Sequence, residues 1–179
     1  MTIQETLARL EEGNARYVAD QLERKQQDSS RRNELTKGQA PYAIVLSCAD
    51  SRVVPELAFD AGLGELFVVR VAGNIANTSS VASIEYAVAH CGSKVIVVLG
   101  HQSCGAVTAA IGGGSNGYNL DLLLAHIAPA IQQTPNSDDH VNDVVRTNAA
   151  LTANFLKERS SIIRTAVESG EVKIVAAYY

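Results

Sequence analysis

Two short stretches of the sequence carry side chains that bind metal ions in proteins. In SCADSRVVPE, Cys48, Asp50 and Arg52 occupy alternate positions, and in GHQSCG, His101 precedes Cys104 by three residues. Two thiolates and one imidazole are ligands that suit tetrahedral zinc. Such a set leaves a fourth position, which a catalytic site leaves to water or substrate. The sequence therefore predicts a zinc site formed by Cys48, His101 and Cys104.

Asp50 and Arg52 stand beside the first of these predicted ligands. On an extended segment, alternate side chains point the same way, so both can face the site together with Cys48. Arg52 can hold Asp50 in a bidentate pair, which keeps the carboxylate ionised and off the metal. An aspartate held in this way can accept a hydrogen bond from a zinc-bound water or hydroxide and orient it. Two alternatives stay open: Asp50 could close the site as a fourth ligand, or the two residues could form an ordinary surface ion pair.

The remaining cysteine and histidines have no partners at a metal-binding spacing. Cys91 is next to Gly92 at the predicted end of a helix, and we assign it to packing. A dithiol redox protein that uses Cys48 and Cys104 is an alternative, which the absence of a Cys-x-x-Cys motif disfavours. The residues interpreted as structural or surface histidines are His90, His126 and His140.

Short runs rich in β-branched residues predict the strands that position these side chains. The runs are nearly continuously apolar, as expected for strands covered on both faces. Helical patterns lie between most of them, which favours an α/β fold with a mostly parallel central sheet flanked by helices. The carboxyl ends of parallel strands share one edge of a sheet, so Cys48, after the first strand, and His101, after the third, should converge there. The predicted strands are YAIVLS (42–47), LFVVRV (66–71), KVIVVLG (94–100) and VKIVAAY (172–178).

Helices are predicted from apolar residues that recur every three or four positions. Ser80, Asn119 and Ser137 are the predicted N-caps of three of them. The loop GGGSNG follows a helix and lacks the Lys-Ser/Thr of a phosphate-binding loop, so we interpret it as a turn. The three helical segments are SSVASIEYAVAHCG, NLDLLLAHIAPAIQQ and SDDHVNDVVRTNAALTANFLKER.

The N-terminal region is predicted to form a helical arm. Residues 2–20 begin with capping-box residues Thr2 and Glu5 and continue with apolar residues at helical intervals. A polar connector separates this helix from the first strand, so its apolar face is expected to pack on a partner subunit. Because the sequence stops at the end of a predicted strand, we also expect the natural chain to continue beyond Tyr179. The expected boundaries are 1–179 for a single domain, 1–38 for the arm and 39–179 for the α/β core.

Composition and charge exclude several classes of protein. The apolar fraction of 46% and the charged fraction of 19% are ordinary for a globular domain. A net charge of −4 provides no basic surface for nucleic acid or an anionic membrane. The acidic N-terminal stretch is not a secretory signal, and no apolar run has the length of a membrane span. We therefore expect a cytoplasmic protein that acts on a small molecule.

The segments CADSRV and GHQSCGA together resemble those of the β-class carbonic anhydrases. FDAGLGELFVVRVAGNIAN, SIEYAVAH and KVIVVLGHQSCGAV are also similar to stretches of that family. The resemblance implies a zinc lyase, a carbonate dehydratase, that reversibly hydrates carbon dioxide to bicarbonate and a proton by attack of zinc-bound hydroxide. It implies that Cys48, His101 and Cys104 bind the zinc ion. It further implies that Asp50 and Arg52 form the catalytic dyad beside it.

The same resemblance implies a substrate site and a mode of assembly. Gln39 matches a glutamine that helps to bind substrate or bicarbonate in one subgroup of the family. Phe67 and Tyr86 match apolar residues that line the carbon dioxide site, partly across a dimer interface. The backbone N–H of Gly105 is placed to assist at a helix start. The family implies a homodimer or a dimer of dimers, in which the N-terminal helix reaches over the neighbouring subunit.

Two alternatives retain the zinc site but change its use. The same hydroxide attack could act on carbonyl sulfide or carbon disulfide, with the shape of the pocket deciding between these gases and carbon dioxide. The protein could also be a non-catalytic zinc-binding homologue in which Asp50 permanently fills the fourth position. Some family members show such a closed state, and the match at Gln39 favours the subgroup with an open site.

Overall fold

The centre of the protein is a four-stranded parallel sheet, seen in a computed structural model that describes residues 1–179. Its strands are β1 (Ala43–Ser47), β2 (Leu66–Arg70), β3 (Val95–Gly100) and β4 (Lys173–Tyr178). They lie in the order β2-β1-β3-β4. The middle strands β1 and β3 are buried along their whole length, whereas the edge strands are partly exposed. The predicted α/β fold with a parallel sheet is confirmed.

Helices cover both faces of this sheet. On one face, three helices pack against the middle strands. The helices contribute Ile84, Leu156 and Ile163, and the strands contribute Ile44 and Ile96. None of the helices is both long enough and apolar enough to cross a membrane. A 3₁₀ turn at Ala72–Asn74 follows β2, and a π-helical turn at Ala87–Cys91 extends α4. The α-helices are α1 (Ile3–Val18), α2 (Ser29–Leu35), α3 (Pro55–Ala58), α4 (Thr78–Tyr86), α5 (Gly105–Gly112), α6 (Tyr118–Ala125), α7 (Ala128–Gln133), α8 (His140–Arg159) and α9 (Ser161–Glu168).

The N-terminal helix α1 packs on the second face of the sheet of its own chain. Leu10 is 4% exposed and belongs to an apolar cluster with Val97 and Leu99 of β3. Gly13 lies so close to the next segment that a Cβ atom there would be 2.0 Å from the carbonyl oxygen of Phe59. The helix is thus not detached from its own domain, although the long connector predicts an apolar face that packs on a partner subunit. Contact between α1 and a partner subunit stays a prediction.

A buried carboxylate holds the end of α1 and the following connector against the core. The side chain of Asp60 is 3% exposed and accepts a hydrogen bond from Arg16 Nε at 2.6 Å. It also accepts the backbone N–H groups of Glu23 and Arg24, at 3.1 and 3.2 Å. Burial alone would raise the pKa of Asp60, but these donors outweigh it and hold the pKa below its usual value. The connector therefore returns to the core instead of extending away from it.

Some helix boundaries differ from the predicted ones for local reasons. Asn77 is the N-cap of α4 in place of Ser80, and its side chain accepts the backbone N–H of Ser80 at 2.9 Å. The segment predicted as one helix from Asn119 is divided into α6 and α7. Pro129 lies in the first turn of α7, where its missing N–H cannot continue the hydrogen bonds of α6. The predicted helix after residue 137 begins at His140.

Candidate metal centre

The carboxyl ends of β1 and β3 bring three metal-binding side chains together. Cys48 directly follows β1, His101 directly follows β3, and Cys104 immediately precedes α5. One ligand atom from each residue lies within 4.8 Å of the other two, and all three residues are buried. The sulfurs of Cys48 and Cys104 are 4.0 Å apart. Two thiolates at a tetrahedral zinc ion, with Zn–S bonds of about 2.3 Å, are separated by roughly 3.8 Å, so the spacing suits that metal.

The imidazole of His101 has one ring nitrogen that the protein leaves without a partner. Its Nδ1 is 3.0 Å from the carbonyl oxygen of Gln102, and donation to that oxygen puts the proton on Nδ1. Nε2 is then the lone-pair nitrogen, and it is buried with no hydrogen-bond partner. A buried polar atom without a partner is costly, whereas a metal ion shared with the two sulfurs would satisfy it. The donor set and its geometry therefore fit zinc.

The pKa values of the two thiols in the cluster are shifted in opposite directions. Donation by the Cys104 thiol lowers the pKa of Cys48, and the backbone N–H groups of Asp50 and Gly73, both 3.4 Å from the Cys48 sulfur, add to this effect. The same pairing, together with burial, raises the pKa of Cys104. Because thiolates are the ligands of a metal ion, binding would release the remaining proton.

Asp50 and Arg52 form a bidentate ion pair beside the cluster. Arg52 donates from Nε to Asp50 Oδ1 at 2.9 Å and from Nη2 to Oδ2 at 2.8 Å. The backbone N–H of Arg52 also donates to Oδ1, at 3.0 Å. These hydrogen bonds hold the pKa of Asp50 well below its usual range. Asp50 Oδ2 is 3.9 Å from His101 Nε2, so the carboxylate borders the cluster while both of its oxygens are bonded to Arg52.

Comparison with known proteins places these residues in a family. A family model described as carbonic anhydrase matches residues 43–179. Among solved structures, the β-carbonic anhydrase CafA of Aspergillus fumigatus has a TM-score of 0.75 at 25% identity, covering 98% of this chain and 85% of that one. A tetrameric β-carbonic anhydrase of Sordaria macrospora has a TM-score of 0.74 at 26% identity, covering 83% and 80%. The chain belongs to the β-carbonic anhydrase family.

Curated carbonic anhydrases are similar over nearly the whole length of this chain. Carbonic anhydrase 2 of Mycobacterium tuberculosis is 39% identical over 176 residues, which cover 95% of this chain and 84% of that protein. The carbonic anhydrase of Mycolicibacterium smegmatis is 38% identical over 176 residues, which cover 95% and 85%. The predicted family and the predicted class of enzyme, carbonic anhydrase, are confirmed.

Arg70 is a further contact of this carbonic anhydrase site and is absent from the predicted site residues. It is the last residue of β2, and its guanidinium donates from Nε to the carbonyl oxygen of Cys48 at 2.9 Å. It also donates from Nη2 to the carbonyl oxygen of Asp50 at 2.6 Å. The guanidinium thus bridges the backbone of the segment that follows β1. The rule that strand ends converge could have indicated Arg70, because β2 ends at the same edge of the sheet as β1.

Polar residues of α8 also contact the loops of the β-carbonic anhydrase site. Asn142 Oδ1 accepts the backbone N–H of Ser103, which lies between the cluster residues His101 and Cys104, at 2.8 Å. Asn148 Nδ2 donates to the carbonyl oxygen of Gly73 at 2.8 Å, and the N–H of Gly73 is one of the donors to Cys48. Neither asparagine belongs to a motif, so no signal in the sequence indicated them.

Gln39 lies outside the metal cluster of its own chain. It is exposed and precedes β1, whereas Cys48 follows that strand. The two positions lie at opposite ends of β1, a five-residue strand that is about 16 Å long. The single β-carbonic anhydrase chain does not bring Gln39 to the cluster, and its role in binding substrate stays a prediction.

Phe67 and Tyr86 lie together, apart from the three cluster residues. Their ring centroids are 6.2 Å apart. Phe67 pairs with Ile44 near the amino end of β1, and Tyr86, at the end of α4, is 52% exposed. Gly105 is the exposed first residue of α5 and adjoins Cys104. The structure thus places Gly105 at the cluster and the aromatic pair away from it, with Phe67 packed against the core and Tyr86 exposed.

The cysteine and histidines assigned to structural roles lie outside the cluster. Cys91 is half-buried and packs against the apolar residues beneath α4 and α9. His90 lies against Tyr86, with ring centroids 5.1 Å apart. Burial lowers the pKa of His126, and His140 Nδ1 is 3.2 Å from the carbonyl oxygen of Pro135.

Proposed function

We propose that this β-carbonic anhydrase binds one zinc ion through Cys48, His101 and Cys104 and reversibly hydrates carbon dioxide to bicarbonate and a proton. The observation that carries the proposal is the buried, unpartnered Nε2 of His101, which shares a 4.8 Å cluster with two thiols. The family to which the chain belongs supports the reaction.

The residues around the cluster have separate parts in this reaction. Bound zinc would supply Lewis acidity, which lowers the pKa of water so that a nucleophile for carbon dioxide exists near neutral pH. Asp50, ionised because Arg52 occupies both of its oxygens, accepts a hydrogen bond from the reacting water and directs a lone pair toward the carbon. Arg52 keeps Asp50 in that orientation. We therefore infer a catalytic site that is open to water and substrate, in which Asp50 acts beside the metal and does not coordinate it.

The proton released by hydration leaves to solvent water on the side of the site where Asp50 and Arg52 lie. The side chain of Asp50 is 18% exposed and that of Arg52 is 60% exposed, so the site borders water on this side. We assign the backbone N–H of Gly105, beside Cys104, to binding of the substrate oxygens, because the start of a helix favours partial negative charge.

We further propose that residues 1–179 form a single α/β domain and that the active enzyme is a homodimer or a dimer of dimers of this chain. The paired rings of Phe67 and Tyr86 are then covered by a second copy and line its carbon dioxide pocket, and Gln39 reaches the site in the same way. The half-exposed ring of Tyr86 and the tetramer of the Sordaria protein support assembly. A cytoplasmic location suits two thiols 4.0 Å apart that must stay reduced to bind metal.

The function is tested by measuring zinc content and carbon dioxide hydration on the same preparation. We expect about one zinc ion per chain and stopped-flow hydration far above the uncatalysed rate at mildly alkaline pH. Asp50→Asn should retain zinc and lose about a hundredfold or more in kcat, since an amide cannot orient water as a carboxylate does. A zinc-loaded wild-type protein without hydration activity would exclude the proposal.

A further inference from the structure

Asn142 connects α8 to the loop that carries two of the three cluster residues. Its side chain is buried, accepts the backbone N–H of Ser103 at 2.8 Å and donates to Asp139 Oδ1 at 2.7 Å. Both ends of the amide are therefore used, and the orientation of the side chain is determined by its partners. This arrangement gives the loop between His101 and Cys104 a support that lies on another element.

Ser103 adopts a backbone conformation that needs such a support. Its φ of 55° lies in the left-handed region, which costs free energy for a residue other than glycine and persists where the surroundings hold it. The hydrogen bond from its N–H to Asn142 is one such restraint. The conformation also decides where the Ser103 carbonyl group points.

The Ser103 carbonyl oxygen is an acceptor for Arg52. Nη2 of Arg52 donates to it at 3.1 Å and to Asp50 Oδ2 at 2.8 Å, so the same nitrogen contacts both groups. Because the Arg52 side chain is 60% exposed, few other contacts restrain it. The carbonyl group therefore sets the position in which Arg52 engages both oxygens of Asp50.

We propose that Asn142 is a positioning residue for the Asp50–Arg52 pair. It holds Ser103, whose carbonyl oxygen holds Arg52, and Arg52 keeps Asp50 away from the fourth metal position. Loss of the Asn142 side chain shifts Asp50 toward the metal and blocks the position that water and anions would use. This inference rests on the proposed function, because it assumes a metal ion at the cluster.

Binding of thiocyanate to the cobalt-loaded protein tests the inference without an activity measurement. Visible absorption of Co²⁺ changes when an anion takes an open position, and a position already filled by Asp50 resists that change. We expect Asn142→Leu, which retains the size of the side chain, to keep one cobalt ion and to bind thiocyanate about tenfold more weakly, as expected for one lost hydrogen bond. Thr147→Val, which removes a hydroxyl on α8 that bonds to Thr134 and Asp143, should bind thiocyanate as the wild type does.

A paired substitution separates the hydrogen bond from packing. Asn142→Asp combined with Asp139→Asn exchanges donor and acceptor between the two positions, keeps the net charge and keeps an oxygen facing the Ser103 N–H. The doubly substituted protein should recover wild-type affinity for thiocyanate. Such a recovery is not expected if Asn142 acts only by filling space between α8 and the loop.

Three results would overturn the proposal. They are unchanged thiocyanate affinity in Asn142→Leu, a paired variant no better than Asn142→Leu, and loss of cobalt from both Asn142→Leu and Asn142→Ala. The last result would show that Asn142 holds the ligand loop itself. A wild-type protein that binds no metal would instead refute the proposed function, so the two failures are distinguishable.

Discussion

Cys48 has contacts that a cysteine buried only for packing does not need. Its sulfur accepts two backbone N–H groups, and its carbonyl oxygen is held by Arg70. Cys91 is also a free cysteine but is half-buried against apolar side chains. Donors around a sulfur stabilise the thiolate, which is the form that binds metal. The contrast between the two cysteines is therefore the one expected between a proposed metal ligand and a packing residue.

Replacing Cys48 by alanine is expected to abolish stoichiometric zinc binding and to lower the hydration rate by about a thousandfold or more. Two remaining protein ligands do not make a stable tetrahedral site, and the reaction then loses its Lewis acid. Zinc per chain, measured by mass spectrometry beside stopped-flow hydration, checks this. Cys91→Ala is the matched control and should retain both zinc and rate. A Cys48→Ala protein with one tightly bound zinc ion would contradict the ligand assignment.

Different secondary-structure elements contribute to the stability of the fold and to the candidate site. The middle strands are buried on both faces, and the loops at their carboxyl ends carry the metal cluster. On the face opposite α8, α1 closes the core together with Val53, Phe59 and Ala61. The covering helix is held by apolar packing at Leu10 and by the buried carboxylate of Asp60.

Leu10→Ala is expected to lower the free energy of unfolding by about 2–4 kcal/mol, because it leaves a cavity beneath α1. Since α1 packs on its own sheet, the loss should not depend on protein concentration. Urea unfolding over a wide range of concentrations measures it. Val18→Ala, at a residue of α1 that is 75% exposed, should change the free energy of unfolding by less than about 0.5 kcal/mol. A loss that grows on dilution would show that this helix packs on a partner subunit instead.

Asp60→Asn is expected to destabilise the protein by about 1–3 kcal/mol near neutral pH, as for other buried hydrogen bonds to a charged group. The folded pKa of Asp60 lies below the unfolded value of about 3.9. Its ionised form therefore contributes stability that is fully present above that value and is lost as the pH falls through the folded pKa.

The difference in stability between wild type and Asp60→Asn should consequently shrink as the pH falls below about 4. Urea unfolding of both proteins at neutral and acidic pH measures this difference. Asp138→Asn, at an exposed carboxylate, is the control and should have little effect at either pH. An equal loss for Asp60→Asn at both pH values would mean that the charge of Asp60 is not what holds the connector.

At the scale of the whole molecule, a single chain leaves aromatic surface uncovered near the edge of the sheet. Tyr86 is 52% exposed and lies against Phe67 of the edge strand β2. Large exposed aromatic groups are frequent centres of protein interfaces. The proposed dimer places this pair between subunits and so links assembly to the substrate pocket.

We expect light scattering to give twice or four times the mass of one chain, and Tyr86→Ser to weaken that association. Truncation of a central aromatic residue costs about 2 kcal/mol or more, which is roughly thirtyfold in the dissociation constant. Tyr118→Ser removes a ring that is 78% exposed on α6, and it is the matched control. Unchanged association and unchanged KM for carbon dioxide in Tyr86→Ser would remove Tyr86 from the interface and from the pocket.

The amino-acid sequence by itself determined the strands, the edge at which they converge and the three candidate ligands. Apolar β-branched runs are local patterns, and the strand-end rule turns positions along the chain into neighbours in space. Cys48, His101 and Cys104 could be predicted because each stands directly after a strand or within the loop that follows it. The family followed from the same two segments.

Only the tertiary structure decided how those residues are held. It placed Arg70 on the backbone after β1, supported Ser103 with Asn142, and packed α1 on its own sheet, whereas the Asp50–Arg52 pair was already an expectation from their spacing. Most of these contacts join residues far apart in the chain, and each forms only where the distance between the two groups is correct to within a few tenths of an ångström. Such distances result from the packing of whole elements against one another, and no local pattern of residues encodes them.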